Sequence, residues 1–282
     1  MAAAVKKFPS RLAAFAVLPM AFPVEAAVEL DRAVTKLGMV GALVDARLPD
    51  GTHYDDKKFW PIFERAELLG VPLYLHPAPP TEEEVASRYA GNYSALMAAG
   101  FASGGWAWHA DAGLGFLKLF AAGIFDAYPN LKIVLGHNGE MVPAMLDRTW
   151  ATVCKFGDGT PIRELRDVWN TNVWVTTSGM YSLESFSVLL LTTKLERIMF
   201  GTDYPYDDIR NGQELIRRLQ DSGLLTQKEL EDFSWRNAET LLNCNVLLAL
   251  LTVLSGDQGE HSRDLPATWS RVGPSYYIIG QD

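Results

Sequence analysis

Six short apolar runs recur along the chain, each followed by a longer stretch in which apolar and polar residues alternate at helical spacing. The runs are Ala13–Leu18, Gly41–Val44, Pro72–Leu75, Lys132–Leu135, Val173–Thr176 and Arg197–Phe200. Their length and near-continuous apolar character suit strands buried on both faces. The intervening stretches predict helices over Pro23–Leu37, Asp55–Leu69, Thr81–Ala99, Gly113–Ala127, Met141–Val153 and Leu183–Thr193, with two more within Asp208–Asp221 and Gln227–Leu242. Such alternation predicts a parallel sheet covered by helices. Thr81 before three glutamates reads as a helix start, and Gly38 and Gly70 stand where helices end.

No glycine follows the first run before Pro23, which argues against a dinucleotide-binding loop. No low-complexity linker divides the 282 residues, so the pattern predicts one domain over residues 1–243 and an appended tail over 244–282. Within the tail, Val246–Leu254 is uncharged, but nine residues are too few to cross a bilayer, so no membrane role is expected. Lys6 and Lys7 ahead of Leu12–Leu18 share the layout of a secretory leader. A core strand is the preferred reading, because the amphipathic stretch from Pro23 to Gly38 continues the alternation.

Composition narrows the function classes. Lys and Arg total 25 against 34 Asp and Glu, giving a net charge of −9 and no basic stripe for nucleic acid. Cys154 and Cys244 show no CxxC spacing, which favours a reducing, cytoplasmic setting.

Candidate chemistry gathers at the ends of three predicted strands. Leu75-His76-Pro77, Gly136-His137-Asn138-Gly139-Glu140 and Gly201-Thr202-Asp203-Tyr204-Pro205 each place ionisable groups after an apolar run. In a parallel sheet these ends share one rim, where α/β barrels carry their active sites. Two imidazoles and a carboxylate suit Zn²⁺ or Mn²⁺. Trp106-Ala107-Trp108-His109-Ala110-Asp111 reads as an aromatic loop before a helix, able to line a flat substrate pocket or to pack as a capped turn. His53 falls in the turn-rich Gly51–Asp56 segment and reads as solvated; Ser178 has no nucleophile elbow around it. Asp207 and Asp208 read as a helix start, and His261 in the tail is not expected to matter.

The three motifs, in this order, resemble the amidohydrolase-related decarboxylases, the relatives of aminocarboxymuconate semialdehyde decarboxylase and especially the γ-resorcylate, 2,3-dihydroxybenzoate and salicylate decarboxylases. Phe59–Phe63 and Gly123–Asp126 fit the same group, and the resemblance runs from about Pro9 to Asn243. It implies an α/β, TIM-like (β/α) barrel and one divalent metal ion (Zn, Mn or Mg) with no organic cofactor. It also implies non-oxidative decarboxylation of a hydroxylated aromatic acid, by a protein expected to assemble as a homo-oligomer. By the family pattern His76 and Asp203 match metal ligands, and Asp203, His137 and Glu140 match catalytic groups. Trp108, His109 and Tyr204 are expected around the substrate.

The match begins at Pro9–Phe15, which resembles the family's third strand, so about six of eight strands are expected, with two bare sheet edges. No Glu-x-His or Glu-x-Ala strand precedes His76, Asn138 stands where the family usually has Met or Leu, and the stretch after Asn243 matches nothing in the family. Two protein ligands hold a divalent ion weakly, since three are usual at a catalytic zinc. The resemblance therefore implies a decarboxylase impaired by the loss. The alternatives are a metal-dependent hydrolase of a lactone or amide, and an inactive form that pairs with a full-length paralogue.

Overall fold

The computed structural model describes residues 1–157 and 162–244, and the backbone of a strand at Tyr277–Ile279. Val246–Leu254 and His261 lie outside the described residues.

All six expected strands form, the fourth and fifth at the expected bounds and the others with shifted ends: β1 Leu12–Ala14, β2 Ala42–Asp45, β3 Pro72–His76, β4 Lys132–Leu135, β5 Val173–Thr176 and β6 Ile198–Met199. Strands β2 to β6 make one parallel sheet in sequence order. The chain just after β1 joins it through a parallel bridge between Ala16 and Ala42. Six strands thus run in one arc, each beside its sequence neighbour, as in a singly wound barrel.

Alternation along the strands divides the core in two. Ala14, Ala42, Val44, Leu73, Leu75, Ile133, Leu135, Val173, Val175 and Ile198 face outward into the large cluster shared with the helices. On the concave side Phe15, Leu43, Tyr74, Val134, Trp174 and Met199, one from each strand or its end, pack together with Leu241 and Leu242 of the final helix. The concave face of the arc is therefore covered by packed side chains.

Among the described residues β6 pairs only with β5, so the arc is not closed. Its edge is held by a hydrogen bond from Phe200 N–H to the Phe233 carbonyl, 3.0 Å. The other expected bare edge is covered: Tyr277–Ile279 lies parallel to β1, pairing Leu12 with Tyr277 and Ala14 with Ile279. No helix among the described residues is long and apolar enough to cross a membrane.

The helices depart from expectation where local signals compete. Pro23–Leu37 forms as expected and ends on Gly38 at φ 70°; Gly70 ends Trp60–Leu69 at φ 67°. Thr81 and Glu84 form the expected capping box, but Thr81–Ala99 is not one helix. It runs Glu82–Glu84, widens over Val85–Tyr89, breaks, and restarts at Ala95–Ala102 with Ser94 as its cap. Gly91 and Asn92 at the break, with the Ser94 cap, outweigh the apolar periodicity. Met141–Val153 starts late, at Leu146, because Pro143 first directs a short 3₁₀ turn. Helix Leu165–Asn172 has no counterpart in the pattern reading.

Two corrections bear on function. Trp106–Asp111 is not a loop: the helix expected from Gly113 begins at Ala107 and runs to Ala121. Glu140 does not open a right-handed helix; it sits in a left-handed turn.

Candidate active site

The strand ends bring His76, His137 and Asp203 together, with one ligand atom of each within 4.8 Å of the others. His76 is the last residue of β3, and its Nδ1 lies 2.9 Å from the Pro77 carbonyl oxygen. That contact requires Nδ1 to carry the proton, leaving the Nε2 lone pair for another partner. Burial, then the neighbouring His137, holds His76 below the usual imidazole range.

After β4 the chain turns left-handed. His137, Asn138, Gly139, Glu140 and Met141 have φ of 47°, 56°, 84°, 54° and 65°. Each non-glycine residue there costs about 1–2 kcal/mol, so tertiary contacts must hold the turn. Glu140 supplies them. Its buried carboxylate accepts from His137 Nδ1 at 2.6 Å through Oε1, and from His109 Nδ1 at 2.8 Å through Oε2. His137 Nε2 points to Asp203 Oδ2 at 3.8 Å, an ion-pair distance rather than a hydrogen bond. Burial opposes a charge on His137, but Asp203 and Glu140 outweigh it and lift the group to about 9. Asp203 itself is left-handed, at φ 59°, in the loop after β6.

The other expected site residues are placed as follows. His109 is buried and turned toward Glu140, and its Nε2 lies 2.8 Å from the Gly104 carbonyl. Trp108 lines a cleft with Arg47, Ala78, Arg88, Tyr89 and Asp111, which none of His76, His137 and Asp203 lines; its indole N–H is buried without a partner. Tyr204 is largely exposed on the rim. His53, expected to be solvated, is buried: its Nδ1 faces the Ala46 carbonyl at 3.2 Å and its Nε2 faces Asp111 at 3.5 Å. Gly115 leaves room for that ring, since a Cβ there would lie 3.3 Å from His53 Nδ1. Asp208 caps the Ile209–Ser222 helix, as its sequence position suggested. Ser178 hydrogen-bonds Thr176 Oγ1 at 2.7 Å, and Thr176 in turn bonds Tyr74 Oη at 2.8 Å. Burial pushes that phenol up to about 12, so it remains a neutral hydroxyl.

Two rim residues escaped the pattern reading. Asp45 ends β2 in register with His76, and burial pushes its carboxyl up against the opposing pull of His76 and Arg47. Its signal resembles that of Asp203, an acid following an apolar run, but the run itself ends at Val44 and the strand extends one residue further. Arg47, two residues on, donates from Nε to Asp111 at 2.7 Å and from Nη2 to Glu84 at 2.9 Å.

The donor set fits a divalent ion. One imidazole with its Nδ1 anchored, a carboxylate beside it and a second imidazole within reach offer the borderline N and O ligands that Mn²⁺ and Zn²⁺ take. In His76 the Nε2 lone pair is left open, and Asp203 presents a carboxylate beside it. His137 is already tied to Glu140 through its other nitrogen.

The chain is similar to known proteins over most of its length. The amidohydrolase family profile matches residues 1–244. Decarboxylase orsB of Emericella nidulans is 46% identical over 239 residues, spanning 84% of this chain and 72% of that protein. A γ-resorcylate decarboxylase of Polaromonas sp. is 33% identical over 253 residues, spanning 87% and 74%. Among solved structures, a dihydroxybenzoic acid decarboxylase of Polaromonas sp., with bound manganese and the inhibitor 2-nitroresorcinol, superposes with a TM-score of 0.75. It shares 32% identity and covers 86% of this chain and 72% of that one. The chain belongs to the amidohydrolase family, among its decarboxylase-related TIM-barrel members.

Proposed function

We propose that this chain is a metal-dependent carboxy-lyase that removes CO₂ from a hydroxylated aromatic acid. The observation that carries the reading is the convergence of His76, His137 and Asp203 at the C-terminal ends of β3, β4 and β6. The relatives support it, being named for decarboxylation of resorcylate and dihydroxybenzoate. His76 and Asp203 would hold the ion, of which Mn²⁺, Zn²⁺ and Mg²⁺ are the candidates. When bound, a divalent ion supplies a positive centre that orients the substrate's carboxylate and adjacent phenolic oxygen and stabilises negative charge there.

The chain's own groups account for the proton. Asp203 is the donor to the ring carbon that bears the carboxylate. Protonation there lets the carbon–carbon bond break, its electron pair returns to the ring, and CO₂ departs. His137, 3.8 Å from Asp203, resupplies the proton. Glu140 keeps the His137 ring in the orientation this requires.

The test is CO₂ release from a panel of hydroxybenzoates with each ion added. Asp203→Asn keeps the shape but loses the transferable proton, and should lower kcat by about 100-fold or more. A D203N variant as active as the parent would sink the mechanism. Turnover of lactones but not hydroxybenzoates would move the same site to hydrolysis.

A further inference from the structure

We infer that His109 is a positioning residue for this site. By bonding the second oxygen of Glu140, it fixes the left-handed turn and, through it, the His137 ring.

The Glu140 side chain has no solvent exposure. Its carboxylate would otherwise be free to rotate, because the terminal torsion of a glutamate is broad and two-fold. Two imidazoles remove that freedom, one at each oxygen, at 2.6 and 2.8 Å. The two rings lie against each other with centroids 4.6 Å apart. His109 is fixed at its far side as well, where Nε2 lies 2.8 Å from the Gly104 carbonyl. The line Gly104–His109–Glu140–His137 thus runs from a surface turn to the group that faces Asp203.

The helix that carries His109 is shaped for this contact. Gly113, one turn further along, lies so close to the Glu140 carbonyl oxygen that a Cβ there would fall inside contact distance. Two residues after His109, Asp111 anchors the same helix to Arg47, in the segment after β2. Helix and turn are therefore held together by backbone approach, while His109 is the helix residue that bridges to the Glu140 carboxylate.

A residue that merely filled space would be replaced by leucine without consequence for His137. Asparagine and glutamine separate the two hydrogen bonds. The Asn amide nitrogen overlies the imidazole Nδ1, so His109→Asn keeps the donor to Glu140. The Gln amide nitrogen overlies Nε2, so His109→Gln keeps only the donor to Gly104.

Two measurements decide the matter, and only the first rests on the function proposed above. With any hydroxybenzoate that the parent turns over, H109L and H109Q should lose about 10- to 100-fold in kcat with KM little changed, while H109N recovers to within about threefold. The second needs no substrate: solvent exchange of the His137 Nδ1 proton, followed by NMR on protein carrying ¹⁵N-histidine. Exchange should be about ten times faster in H109L and H109Q than in the parent and H109N, the change expected when a buried tether loosens. If the parent turns over no acid, the function fails, and the exchange rates still judge His109. Unchanged exchange in H109L, or rescue by H109Q rather than H109N, overturns the inference.

Discussion

Arg47 keeps a full charge at 5% relative exposure because two carboxylates meet it, Asp111 on Nε and Glu84 on Nη2. Arg47→Leu would leave both carboxylates facing an apolar side chain. The expected cost is about 2–3 kcal/mol, less than for a fully buried pair because Asp111 and Glu84 remain partly wet. The pH dependence follows from Asp111. Burial pushes its carboxyl up, but His53 and Arg47 outweigh that and hold it below its usual value. A depressed acid contributes stability above its unfolded pKa and loses it as pH falls through the folded one. Urea denaturation should therefore show the gap between R47L and parent at pH 7 shrinking below about pH 4. Residues of this kind are where the sequence speaks least. His76, His137 and Asp203 announce themselves by following apolar runs. His53 and His109 are buried by partners 58 and 31 residues away in the chain, Asp111 and Glu140, and no local pattern carries such a contact.

The helix over Ala107–Ala121 shows what was legible at the next scale and what was not. Its apolar period is readable, yet Gly113 and Gly115 weaken the signal, and glycine costs about 1 kcal/mol in a helix. Both glycines answer to tertiary needs, Gly113 to the Glu140 backbone and Gly115 to Ala46 and His53. Gly113→Ala would improve the helix locally but drive it off the turn. The net expectation is a loss of about 1–3 kcal/mol, read by thermal or urea unfolding, against the small gain that propensity alone predicts. The strands were easier, since each is a short apolar run bounded by turn residues, and all six formed within a few residues of expectation. The left-handed turn after β4 could not be read, because only one of its five residues is glycine. Histidine, glutamate and methionine give no hint of positive φ, and what holds them there is Glu140's pair of imidazoles.

On the scale of the whole molecule, the strand order equals the chain order across the sheet. Consecutive pairing keeps most sheet contacts within one βα unit, so the arc can assemble strand by strand. Its last member is its slightest: β6 has two residues, paired as Val175 with Ile198 and Thr176 with Met199. Asp203 lies in the loop that follows that strand, whereas His76 ends β3 and His137 follows β4. The cluster is thus incomplete until β6 docks. In stopped-flow refolding with a metal-sensitive dye, ion uptake should lag the recovery of helical circular dichroism; simultaneous recovery of both signals would contradict this order. A cell would then meet a chain whose scaffold is built before its chemistry is switched on, and metal capture would act as the final proofreading step of its own biogenesis.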